Sequence, residues 1–333
     1  MRQSEIEEPK YFQVYKDYVD PAVYVVIIVT GLILNGTLLL MFIRQKEIRT
    51  RPNIMIFNLA VCDILNIAAN APLHYFNKYD HASEDITSCG LQLAFRQFLR
   101  AVSALSLLAL SIQRFCVTVP LLNRRVVECC GSSRLTLLYI LFVWALALPV
   151  ALPPSFIRDI YAYLCSSYKN PNSANLSTLC YTLFYCVVLP IFILGFNLAT
   201  ARRLKRSIME IPGEVQNVEL QELRKRSANV VMALALLYII SFTPFWVWNM
   251  AVYWGELERN SPLVLFTAYL TKYLLFLNAC FNPIALYISS VTYRNLFRHY
   301  LCCLQQEENL EQDNGTNSSS VPGDYNEVVV RNG

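Results

Sequence analysis

Cys89–Phe115, CGLQLAFRQFLRAVSALSLLALSIQRF, decides the fold. An apolar stretch of this length suits a helix crossing the roughly 30 Å hydrocarbon core of a bilayer. It nevertheless carries Arg96 and Arg100, one helical turn apart. A guanidinium at the centre of a membrane helix costs roughly 2.5–3.5 kcal/mol on insertion scales, more on an isolated helix. Both arginines must therefore face a protein interior or a wet cavity. Gln92, Arg96, Arg100 and Ser103 recur at helical spacing and form one polar stripe. Snorkelling to the headgroups is the alternative. It suits Arg96, about 10 Å below Cys89, better than Arg100, about 16 Å below it. The pattern points to a positively charged cavity inside a membrane bundle.

Outward from this segment, further apolar runs recur at spanning length. They occupy about 22–43, 53–76, 88–119, 136–156, 180–201, 228–254 and 262–288. The expected fold is therefore an all-α membrane protein, a seven-transmembrane helix bundle with a short cytoplasmic surface helix. Composition agrees, with 55% hydrophobic, 13% aromatic and 16% charged residues. No cleavable signal peptide is visible in the polar, acidic first twenty residues, so the first span is expected to act as its own insertion signal. Arg44, Lys46, Arg49 and Arg51 follow the first span, and Arg124, Arg125 and Arg134 the third. Arg202, Arg203, Lys205, Arg206, Arg224, Lys225 and Arg226 lie between the fifth and sixth, with Arg294 and Arg298 after the seventh. The alternate loops hold only Lys78, Arg158, Lys169 and Arg259. By the positive-inside rule the amino terminus is outside and the carboxyl terminus inside. The net charge of +4 needs no nucleic acid; it belongs mostly to a cytoplasmic collar near anionic lipid.

Four segments result. Residues 1–21 form an extracellular amino-terminal segment, 22–290 the seven-span domain, 291–303 an amphipathic surface helix, and 304–333 an acidic, Ser/Asn/Gly-rich tail expected to be disordered. Cys89 and Cys165 both fall on the oxidising outer side and suit a disulfide, with Cys180 as a competing partner. Cys302 and Cys303 follow TYRNLFRHYL just inside the membrane, where palmitoylation fits; idle reduced thiols are the alternative. Asn175-Leu176-Ser177 lies in an outer loop and is the candidate glycosylation site. The histidines, His74, His81 and His299, are scattered, and no nucleophile–base or metal spacing emerges, so an enzyme is not expected.

Polar groups at membrane depth need partners. Asn35, Asp63, Ser103, Asn278 and Asn282 supply one acid and several neutral oxygen donors from four spans. Such a set suits a small cation or proton, or a hydrated hydrogen-bond network.

Gly31-x-x-x-Asn35, NLAVCD ending at Asp63, Cys89 followed by Arg114, Trp144, Pro190, Pro244 in SFTP and Asn282-Pro283 in NACFNPIALY stand in order on successive spans. Over roughly 20–303 the chain resembles the rhodopsin-like (class A) G-protein-coupled receptors. NPIALY with Tyr287, IPGEVQ before the basic RKRSANVV entry into span six, and the paired cysteines narrow the resemblance to the endothelin, bombesin and arthropod CCHamide receptors. This implies a multi-pass plasma-membrane receptor for an extracellular peptide, coupled to a heterotrimeric G protein, Gq-type favoured, and regulated by arrestin. It implies no organic cofactor, and a possible sodium ion held by Asp63, Ser103, Asn278 and Asn282. Arg114, Gln113, Asn282, Pro283, Tyr287, Phe242 and Pro244 would form the switch.

The ligand site expected from both lines is built on Arg96, Arg100, Gln92, Gln97 and Lys272, with Trp246, Trp248, Asn249, Tyr269 and Tyr75 as its further lining. Arg96 stands where amine receptors hold an acid. Asp63 is the one acid expected deep in the spans, so the surplus of cations favours a ligand carboxylate, a free carboxyl terminus or an acidic side chain. Arg100 has a second reading as an internal counter-ion near Asp63, displacing sodium. Several positions depart from the family. Gln113 replaces the acid beside Arg114, Arg224 brings like charge towards it, Leu198 replaces a tyrosine, and Phe242 a tryptophan. These departures motivate an alternative, a scavenging receptor with little G-protein turnover. An anion transporter or channel is a third reading, disfavoured by the lack of duplicated halves with broken helices.

Overall fold

The computed structural model describes residues 13–46, 48–49, 51–73, 75, 86–117, 133–151, 171–210, 218–255 and 261–302. Within them the chain is helical, and no strand occurs among the described residues. Helix α1 covers Asp20–Arg44 and is entered through a π-helical turn, Tyr15–Val19. Pro21 sits in its first turn, directly after the π-helical turn. Helix α2 covers Arg51–Leu65 and continues through a π turn, Asn66–Asn70. Helices α3 and α4 are Ile86–Val117 and Ser133–Ala151. Helix α5 runs Pro171–Thr182, a π turn Leu183–Val188, then Leu189–Glu210. Helices α6, α7 and α8 are Val218–Trp254, Pro262–Ser289 and Val291–Cys302.

Six of these helices are long and apolar enough to cross a membrane, and the apolar stretch Thr136–Ala151 of α4 is shorter. The remainder of the expected fourth span, 152–156, lies outside the described residues. Helix α3 packs against α2, α4, α5 and α6, whereas α7 packs against α1, α2, α6 and α8. Val25, Val26, Leu137, Leu141, Ile191 and Phe192 are exposed, while Asn35, Asp63, Asn70 and Ser241 are buried. Large exposed apolar faces around a polar-tied interior suit hydrocarbon as the surroundings.

The buried polar groups join helices. Asn35 Nδ2 donates to Gly31 O (3.0 Å) in its own helix and to Ala279 O (2.9 Å) in α7. Asn58 Nδ2 donates to Ser106 Oγ (2.8 Å), and Trp144 Nε1 donates to Asn58 Oδ1 (3.0 Å), tying α2, α3 and α4. Asn197 Nδ2 donates to Ser111 Oγ at 3.1 Å, linking α5 to α3. Such bonds persist because hydrocarbon offers no water to replace them.

Two expectations change. The first helical segment begins at Tyr15 rather than near residue 22, so Asp20 is helical and opens α1. Asn175 is not in a loop: it lies inside the helical run Pro171–Thr182, and Ser177 of its sequon is buried. Its backbone oxygen accepts from Trp254 Nε1 (3.3 Å). The sequon therefore lies on a helix rather than in the expected loop.

Candidate ligand site and cytoplasmic switch

The stripe on α3 brings its arginines inward. Arg96 and Gln97 are buried, and Arg100 is half-buried. Arg100 Nη1 donates to Gln97 Oε1 (2.9 Å), and its guanidinium lies 5.4 Å from the centre of the Phe245 ring on α6. That places Arg100 against aromatic carbon, which attracts a guanidinium through its face. Gln92 is half-buried one turn above Arg96. Lys272 on α7 lies within electrostatic reach of both arginines.

The aromatic lining falls into two clusters. On the α1–α2–α7 side, the rings of Tyr24 and Tyr75 are 5.7 Å apart and those of Tyr15 and Tyr269 4.8 Å apart; Tyr24 also meets Tyr273 at 5.7 Å. On the α5–α6 side, Trp246 stacks on Tyr185 (5.0 Å, 5°) and Tyr181 (5.3 Å). Its Nε1 is buried with no hydrogen-bond partner among the described residues. Arg96 lies within electrostatic range of Tyr24 in the first cluster, and Arg100 of Tyr185 in the second. Trp248 is half-buried, and Asn249 turns its amide to Phe245 O (2.7 Å) on its own helix.

Asp63 is not the only buried acid. Asp20 is 0% exposed, and its Oδ1 accepts from the Tyr273 hydroxyl, which in turn meets the Tyr15 hydroxyl. Sequence reading missed Asp20 because the apolar run starts after it. Tyr273, adjacent to Lys272, gave no signal beyond its place on an amphipathic face.

Deeper in the bundle, Asn282 Nδ2 donates to Asp63 Oδ2 at 2.7 Å. Asn278 lies one turn earlier on the same face of α7, and its Oδ1 is buried without a hydrogen-bond partner. A carboxylate beside an unsatisfied amide oxygen suits a hard cation. Ser103 is half-buried on α3.

At the inner end, Gln113 Oε1 and Arg114 Nε are buried with no hydrogen-bond partner among the described residues. Tyr293 of α8 lies within electrostatic reach of Arg114: burial pushes its phenol up, and the guanidinium pulls it back. Tyr287 faces α8, where its ring meets Phe297 (6.2 Å) and its hydroxyl accepts from Arg298 Nε (3.4 Å). One residue on a helix is about 100° of rotation, and the inward place belongs to Leu286, which is 1% exposed. Leu198 is 47% exposed and faces outward, whereas its neighbour Asn197 is buried. Phe242, a turn below Trp246, packs on Tyr238 (4.5 Å), and Pro244 and Pro283 lie inside α6 and α7. Cys165 and Cys303 lie outside the described residues, as do the side chains of Cys89, Cys302 and Arg224.

The family described as 7 transmembrane receptor (rhodopsin family) matches residues 34–287. This chain belongs to that family. The receptor is 28% identical over 305 residues to the neuropeptide CCHamide-1 receptor of Drosophila melanogaster, covering 86% of this chain and 60% of that one. With bombesin receptor subtype-3 of Ovis aries it shares 28% over 306 residues, 84% of this chain and 74% of that receptor. With the endothelin receptor type B of Homo sapiens it shares 27% over 329 residues, 89% and 71% of the two chains. Membership places the chain among multi-pass membrane receptors rather than enzymes.

Proposed function

We propose that this receptor binds an extracellular peptide through an acidic group and relays binding to a heterotrimeric G protein. The observation that carries the reading is the pair Arg96 and Arg100 on α3, Arg96 buried and Arg100 set over the Phe245 ring of α6. Three cations gathered in low dielectric favour a carboxylate, which arginine grips with two parallel hydrogen bonds. Tyrosine and tryptophan walls suit a peptide's apolar side chains. Peptides named in its relatives, neuropeptide CCHamide-1 and bombesin, support that ligand class.

The finer parts of the reading rest on sequence. The amino terminus faces outward by the distribution of Lys and Arg. Cys89 pairs with Cys165 outside, and Cys302 and Cys303 carry lipid inside. Gq-type coupling and arrestin follow the resemblance. Sodium occupies the Asp63, Ser103, Asn278 and Asn282 set and stabilises the resting state.

A peptide-library screen in cells carrying a promiscuous G protein tests the central claim. Acid-ended peptides should activate, and their amides should be weaker. Arg96→Ala or Arg100→Ala should cost an agonist roughly 2–5 kcal/mol, the scale for truncating one side of a buried charge pair. If acid and amide forms act equally on the wild type and on Arg96→Ala, the assignment is wrong.

A further inference from the structure

Asp20 is a buried acid outside the proposed ligand contacts. It opens α1 with its side chain turned inward, and accepts a hydrogen bond from Tyr273 on α7. Tyr273 shares its hydroxyl with Tyr15, so two tyrosines fix where the carboxylate sits. Asp20, Arg96 and Arg100 all act electrostatically on Lys272, and Tyr24, one turn after Asp20, has both Asp20 and Arg96 in reach. One acid and three cations therefore share a neighbourhood at the junction of α1, α3 and α7. A buried acid needs a hydrogen-bond partner, and the Tyr273 hydroxyl supplies one.

We propose that Asp20 is a built-in counter-ion of the upper site, a carboxylate from the first helix that balances part of the charge of Lys272, Arg96 and Arg100 and so sets how much negative charge a ligand must bring. This rests on the reading that the site takes an acidic group. With Asp20 present, the four side chains sum to three positive and one negative charge; an acid-ended peptide then meets a smaller surplus than the arginines and lysine alone would create. Asp20 is thus a specificity-determining residue, acting on the ligand through the field it cancels.

Asp20→Asn removes the charge yet keeps an oxygen for the Tyr273 hydroxyl, so it isolates electrostatics from the hydrogen bond. The first measurement needs no ligand: thermal unfolding of the full chain in detergent for wild type, Asp20→Asn, Lys272→Met and the double variant. Asp20→Asn should lower the midpoint by a few degrees, and by less than half as much when Lys272→Met is present. An equal drop in both backgrounds overturns the proposal. If Asp20→Asn fails to reach the cell surface, restoration by Lys272→Met supports the counter-ion role, and persistent failure overturns it.

The second measurement compares synthetic peptides ending in a free carboxylate with their amides on wild type and Asp20→Asn. The acid-to-amide potency ratio should rise on the order of tenfold in Asp20→Asn, as expected for a removed like charge near a buried site. An unchanged ratio overturns the proposal. If no acid-ended peptide activates the wild type, the proposed function falls, and the unfolding cycle still decides Asp20.

Discussion

A single hydrogen decides the packing at position 31. A Cβ built on Gly31 would overlap the end of the Ile67 side chain and approach Cys280 Sγ to 3.2 Å. Gly31 O also accepts from Asn35, which ties α1 to α7. Gly31→Ala should therefore destabilise the receptor by about 1–3 kcal/mol through overpacking. Ile67→Val removes the offending Cδ1 and should restore most of the loss; thermal unfolding of the single and double variants checks both. Position 31 and its partner Asn35 were legible in the sequence because glycine and asparagine stand out in an apolar span. Arg96 and Arg100 stood out for the same reason, their charge. Asp20 did not, because an acid before an apolar run reads as surface until the fold sets Tyr273 across from it. Apolar length also gave no warning that Tyr185 would stack on Trp246, since a tyrosine there looks like any other core residue.

Helix existence follows from apolar length, and all the expected spans correspond to helices, but local winding leaves no mark in composition. The π turns at Asn66–Asn70 and Leu183–Val188 each rotate the remainder of their helix by the equivalent of an inserted residue. The end of α7 shows how much such phase matters. Tyr287 closes NPIALY, and the structure turns it to α8 while Leu286 fills the core. Leu286→Ala should thus cost about 2–5 kcal/mol, as for other buried large-to-small changes. Tyr287→Phe gives up only a long hydrogen bond from Arg298 at the surface and should stay within about 0.5 kcal/mol. Unfolding midpoints that fall equally for both would mean that Tyr287, not Leu286, is the inward residue. Helix α8 belongs to the same unit, with Phe297 buried despite the helix's polar composition. Phe297→Ala should cost about 3–5 kcal/mol and lower surface expression, measurable by labelling of intact cells.

Among the described residues, helix α3 carries charge at both of its ends, Arg96 and Arg100 above and Arg114 below. At the upper end Asp20, Arg96 and Arg100 lie within electrostatic range of Lys272, whereas at the inner end Gln113 Oε1 and Arg114 Nε have no hydrogen-bond partner among the described residues. A receptor signals by shifting between a closed and an open inner end, and any group that stabilises one state more than the other moves that population. Gln113 is isosteric with glutamate, so Gln113→Glu adds a carboxylate beside a buried guanidinium with little change of shape. Desolvation offsets much of the attraction between buried charges, which leaves a net preference for the closed state of about 1 kcal/mol and a shift of roughly fivefold in population. Ligand-independent nucleotide exchange on a purified G protein should fall by that factor, and the unfolding midpoint should rise. Exchange that stays constant or increases in a properly folded Gln113→Glu receptor would show that Arg114 is restrained elsewhere. The Tyr293 phenol, which feels the Arg114 charge across α3 and α8, would then be the next group to replace, as Tyr293→Phe, with exchange expected to rise.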